Sequence, residues 1–285
     1  MEWCVLDLNA SSKTSGGMNP ELPIGIFDSG VGGLTVVREI HRVLPAEDLV
    51  YLGDTARVPY GTKSPSTVVR FACEDTQFLV QQNVKAVVVA CNTCSAWALP
   101  MLEKKFQVPI FGVIAPGVAE ALKRSKRGRI GIIGTSATIR SKAYSMGVTA
   151  RSESAKVFAQ ACPLLVPLVE EGWTNHKITR EVLREYLRPL MRQRIDTLIL
   201  GCTHYPLLKT AIRKVVGHKV ALVDSAEACA RYVHDRLEKL KLLSTRKRTG
   251  IIQPFVTDET DRFDAVAKRF LNARTEPPWK IDLAY

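Results

Sequence analysis

Seven short runs of apolar, largely β-branched residues punctuate the chain: 24–27 (IGIF), 49–52 (LVYL), 86–89 (AVVV), 110–113 (IFGV), 130–133 (IGII), 198–200 (LIL) and 220–223 (VALV). They are continuous rather than alternating, the pattern of strands covered on both faces. Longer segments of helical spacing separate them, so the predicted fold class is α/β with largely parallel sheets. Ser64 and Pro65 supply a cap and a first-turn proline for a helix running to about Gln82. Ile178, Val182, Tyr186 and Leu190 mark the apolar face of another helix, whose last turn Pro189 should disturb.

Two of these runs return later in the chain with their flanking loops. IGIFDS (24–29) is matched by IGIIGT (130–135), and VVVACNT (87–93) by LILGCTH (198–204), in the same order. Two copies of one βα framework explain this economically. Packed about a pseudo-twofold axis, they would be two domains whose strand-end loops converge on one cleft, where open α/β sheets place ligands. Each half would then contribute one cysteine, Cys91 and Cys202, from a matching place.

Composition narrows the class without naming a function. In 285 residues, 46% hydrophobic and 24% charged residues describe an ordinary globular chain. No apolar run reaches the roughly 18 residues of a membrane span, and the first twenty residues lack a basic region ahead of a long apolar stretch, so no secretory signal is expected. Residues 9–17 read as part of a flexible tail, and Met18 is an alternative start. Seven scattered cysteines fit free thiols in a reducing cytoplasm better than a disulfide framework. The net charge of +12, densest at 123–129 and 245–249, could attract anionic substrates or nucleic acid, but no nucleic-acid-binding motif accompanies it.

The candidate chemistry lies in the cysteine pair. Inverting a Cα centre takes a proton from one face and returns one to the other, so two groups on opposite sides are required, one arriving basic and the other acidic. A free thiol titrates near 8.5, close enough to neutrality for one thiolate and one thiol to share that task. Asn92 and Thr93 after Cys91, and Thr203 and His204 after Cys202, are short hydrogen-bonding residues that could hold a carboxylate. Asp28 and His204 could pass protons near Cys91 and Cys202 respectively. Cys91 and Cys94 also spell C-x-x-C, which opens redox and zinc readings; a zinc site would want a second close ligand pair. The loop 28–33 (DSGVGG) matches neither nucleotide fingerprint, and its glycines suit close backbone approach to a small carboxylate. Pro59, Tyr60 and Gly61 form either a tight binding loop or a bland surface turn.

In FDSGVGGLTV, GDTARVPYG, VVACNT, GVIAPG, IGIIGTSATIRS and LGCTHYPLL, spread from about residue 24 to 271, the chain resembles the glutamate racemases. The resemblance implies two α/β domains around a buried site, no pyridoxal phosphate or metal, and D-glutamate for peptidoglycan as product. It implies Cys91 as the base toward D-glutamate and Cys202 as the base toward L-glutamate, assisted by Asp28, His204 and the looser match Glu170. Ser29, Pro59, Tyr60, Gly61, Asn92, Thr93, Thr138 and Thr203 would bind substrate, along with Asp28 and His204. It further implies a discontinuous first domain, 22–115 with 225–272, around a second, 116–224, between tails at 1–21 and 273–285. His204 favours glutamate over aspartate, whose racemases resemble Gly-Cys-Thr-Glu there. Cys94 departs from the alanine usual after CNT. A homodimer stays open, and binding to nucleic acid or gyrase is the minor reading.

Overall fold

The computed structural model describes residues 19–271 and 274–283, so the expectations for Cys4, residues 9–17 and Met18 fall outside the described residues. The seven apolar runs all become strands: β1 (Ile24–Asp28), β2 (Leu49–Gly53), β3 (Ala86–Val89), β4 (Ile110–Gly112), β5 (Arg129–Gly134), then β7 (Thr197–Gly201) and β8 (Ala221–Asp224). Three more join them: β6 (Lys156–Ala161), β9 (Ile252–Val256) and β10 (Trp279–Lys280).

These strands form two sheets, ordered β10-β9-β2-β1-β3-β4 and β6-β5-β7-β8. Every pairing is parallel. The first sheet contains the order β2-β1-β3-β4, which the second repeats as β6-β5-β7-β8. β1 thus corresponds to β5, and β3 to β7, the two correspondences that the repeated sequence proposes. Burial explains the continuous apolar runs, since β1, β3, β4 and β7 are buried along their whole length.

The helix Pro65–Gln81 begins where Ser64 predicts, with its hydroxyl accepting from Thr67 N–H at 3.2 Å. The helix Lys177–Arg192 departs from expectation in two ways. It runs through Pro189 to Arg192, and its buried stripe is Thr179, Leu183, Leu187 and Leu190. Ile178 stays exposed while Val182 and Tyr186 pack at the margin of the core, so the predicted face is rotated toward solvent. Leu187 and Leu190, buried on either side of Pro189, hold the last turn by packing.

β9 lies beside β2, which returns the chain's late segment to the first sheet. The segment after 273, expected to be a tail, adds β10 at that sheet's edge. At the other end, Glu21 is tied down by Arg246 at 2.9 Å and by the N–H of Thr245 at 2.9 Å. The basic clusters are partly engaged by surface contacts within the chain. Arg127 and Arg129 donate to the carbonyls of Arg194 and Gln193 beyond a helix end, and Arg248 pairs with Asp48 at 2.8 Å.

Candidate active site

Cys91 follows β3 and Cys202 follows β7, so the two thiols leave equivalent strands of the two sheets. Both are nearly covered, at 6% and 5% exposure. They are joined by short contacts through the loop after β1: Ser29 Oγ is 3.6 Å from Cys91 Sγ, and the neighbouring Asp28 accepts from Thr203 Oγ1 at 3.3 Å, next to Cys202.

The two sulfurs sit in opposite electrostatic settings. The Cys91 pKa is lowered to about 6, chiefly by a hydrogen bond from the Cys94 thiol and, against the cost of burial, by the Cys94 and Ser29 N–H groups and the Ser29 hydroxyl. Burial pushes the Cys202 thiol well up; the His204 N–H opposes this, while the negative charges of Asp28, Cys91 and Glu170 add to it. Asp28, fully buried at the end of β1, is raised to about 7, first by burial and then by Cys91, with His204 and the N–H groups of Gly33 and Gly30 pulling the other way. A single negative charge is therefore cheap here, on Cys91, and a second is not.

Beside Cys202 the groups form a line. His204 Nδ1 lies 3.9 Å from Cys202 Sγ, and its Nε2 lies 2.9 Å from Glu170 Oε1. A carboxylate at Nε2 fixes the proton there and leaves Nδ1 free to accept from the thiol. Glu170, rather than Glu171, makes this contact.

Hydroxyls stitch the two halves together around the thiols. Thr93 Oγ1 lies 3.0 Å from Thr135 Oγ1 and 3.1 Å from Thr138 Oγ1. Thr35 Oγ1 shares its one proton between the carbonyls of Gly32 and Thr203, at 2.9 and 2.8 Å. The glycines of the DSGVGG loop serve this seam: an added Cβ at Gly32 would overlap Thr203 Oγ1 and the His204 ring. Tyr51 Oη donates to the Gly30 carbonyl at 2.6 Å and pins the loop. Asn92 Oδ1 accepts from Tyr144 Oη at 2.6 Å, while its buried Nδ2 has no protein acceptor among the described residues and is suited to a ligand carboxylate.

Tyr60 and Gly61 reach the seam from the first half. Tyr60 is buried and donates to Asp54, while Gly61 lies so close to Thr135 that a Cβ would stand 2.9 Å from that residue's own. Pro59 precedes them across a cis peptide bond. Sequence reasoning missed what holds this loop, a buried cluster in which Arg57 pairs with Asp54 at 2.6 Å, Asp75 at 3.1 Å and also Glu74. Asp54 and Arg57 lie inside the GDTARVPYG motif, the one signal that could have found them; Asp75 and Tyr144 lie outside the quoted motifs. Among the described residues no three His, Cys, Asp or Glu side chains form a metal-ligating group. No helix there is long and apolar enough to cross a membrane.

A family model described as Asp/Glu/Hydantoin racemase matches residues 24–233. The glutamate racemase of Geobacter metallireducens is 48% identical over 264 residues, which cover 93% of this chain and 98% of that protein. The structure of a glutamate racemase isoform from Bacillus anthracis superposes with a TM-score of 0.90 at 39% identity, covering 93% of this chain and 99% of that one. The glutamate racemase of Francisella tularensis, solved in complex with D-glutamate, gives 0.86 at 38% identity, covering 93% of this chain and 98% of that one.

Proposed function

The chain belongs to the Asp/Glu/Hydantoin racemase family and is an amino-acid racemase, and on that footing we propose that it interconverts L- and D-glutamate by passing the Cα proton between Cys91 and Cys202. The observation that carries this reading is the pair of thiols leaving equivalent strands, one settled toward the thiolate and the other toward the thiol. Cys91 as thiolate removes the proton from one face of Cα, and the Cys202 thiol supplies one to the other face. As Cys91 becomes neutral, its opposition to charge at Cys202 disappears, so the second thiol gives up its proton as the first gains one. His204, backed by Glu170, takes part of that load beside Cys202, and Asp28 exchanges protons close to neutrality.

Asn92 Nδ2 and the hydroxyls of Ser29, Thr93, Thr138 and Thr203, with the Pro59-Tyr60-Gly61 loop, bind the substrate in this reading. The reaction needs no cofactor, takes place in the cytoplasm and supplies D-glutamate for peptidoglycan. Sheet membership supports dividing the chain into residues 22–115 with 225–272 and residues 116–224.

The test is racemisation of L-glutamate in deuterium oxide without added cofactor. Both enantiomers should appear with deuterium at Cα, and L-aspartate should remain unchanged. Cys91→Ala and Cys202→Ala should each abolish racemisation, and a double variant that still racemises would end the two-thiol assignment.

A further inference from the structure

Cys94 has no place in the proton transfer, yet it stands against the sulfur that does. Cys91 caps the helix Asn92–Trp97, and its Sγ accepts the Cys94 N–H at 3.5 Å. Cys94 therefore sits beside the Cys91 sulfur at the start of the helix, and both side chains are buried in the same apolar cluster. Turning the two side chains about their Cα–Cβ bonds is the motion needed to bring them to bonding distance, because three-residue spacing at a helix start falls within the Cα separation a disulfide tolerates.

We infer that Cys91 and Cys94 are a reversible oxidation site for small hydroperoxides, with Cys91 the attacked sulfur and Cys94 the resolving one. The inference rests on the reading of Cys91 as the catalytic base. In the first step the Cys91 thiolate attacks the peroxide ROOH; the O–O bond breaks, the sulfur is oxidised to sulfenic acid, and the alkoxide takes a proton and leaves as ROH. In the second, the Cys94 sulfur attacks the sulfenic sulfur; the S–O bond breaks, and the hydroxyl leaves as water with the Cys94 proton. A dithiol reductant returns both thiols, taking the disulfide into itself.

Three features assign these roles. Cys94 is wholly covered while Cys91 keeps slight exposure, so an incoming peroxide reaches Cys91 first. Among the described cysteines only Cys91 is tuned toward the thiolate; Cys73, Cys94, Cys162, Cys202 and Cys229 are all pushed up, chiefly by burial. The Cys94 N–H already bonds the Cys91 sulfur at 3.5 Å, which holds the two residues side by side at the helix start. The disulfide removes the base, so racemisation stops, and Cys91 is kept from irreversible oxidation to the sulfinic acid.

The test treats the full-length protein with equimolar hydrogen peroxide and follows racemase activity together with peptide masses. Activity should fall by about tenfold or more and return with dithiothreitol, while the peptide holding both cysteines loses two hydrogens. With two or more equivalents of peroxide, since each oxygen consumes one, Cys94→Ser should gain two oxygens on Cys91, Cys94→Ala should do so more slowly, and dithiothreitol should restore neither. Oxygen addition at Cys91 of the wild-type protein without the internal disulfide, or a bond joining Cys91 to Cys202 instead, would overturn the inference. The mass readout is independent of turnover: a protein that forms the disulfide but racemises nothing would refute the proposed function and leave the oxidation site standing.

Discussion

The pH dependence of turnover tests the electrostatics of the site most directly. Cys91 is lowered from 9.0 to about 6, a preference for the thiolate of about 4 kcal/mol that solvent screens little at 6% exposure. At neutral pH about nine-tenths of Cys91 is then thiolate, where an unshifted thiol would supply about a hundredth. The base must be charged to act, so kcat/KM for D-glutamate should fall as pH drops through about 6, losing about tenfold one unit lower. L- and D-glutamate have equal free energies in water, so kcat/KM for L-glutamate must follow the same acid limb, although Cys202 is the proposed base in that direction. Circular dichroism of initial rates, measured both ways across the pH range, provides the assay. Cys94→Ala removes the largest contribution to the lowering and should move the limb upward, with Cys94→Ser restoring much of it. An acid limb near 9.0 in the unaltered enzyme, or one that ignores Cys94→Ala, would refute the reasoning.

Three substitutions probe other parts of the structure. Glu170→Gln can present an N–H to His204 Nε2 and release the fixed tautomer; kcat should fall about a hundredfold with KM and Tm unchanged, and an undiminished kcat would remove Glu170 from the relay. Gly32→Ala drives a methyl group into Thr203 and His204 and should cost about a hundredfold in kcat/KM, so full activity would show that the seam yields without consequence. Arg57→Leu leaves Asp54 and Asp75 buried without their cation, and thermal unfolding should show a loss of about 3–5 kcal/mol; an unchanged Tm would mean those carboxyls are held by other donors.

Strands buried on both faces were legible because nothing but apolar residues fits there. β6 was not, since its residues are partly or fully exposed and its mixed sequence KVFAQA carries no continuous apolar run. β9 contains Pro254, which argues against a strand inside a sheet and is tolerated here with only the two residues of β10 beyond it. The cysteines could be singled out because inversion demands two matched groups and the sequence repeats their setting. What holds the residues around them could not: the Arg57 cluster joins residues on different elements, and Tyr144 reaches Asn92 from the other half of the chain. Burial decides those partnerships, and it becomes visible only once the chain is folded.

The seam between the halves is unlike on its two sides. Away from the thiols it is greasy, where the helix Ser225–Lys239 packs against both Leu34–Val43 and Ile114–Arg124. Around the thiols it is held by the Thr35 and Thr93 hydroxyls, whose hydrogen bonds water can replace almost without loss. Such a joint favours swinging like a book, its spine kept dry and its page edges free to part. Because both thiols are nearly covered, an amino acid reaches them only when those edges part, and the speed of that parting would set an upper limit on turnover however well the thiols are tuned.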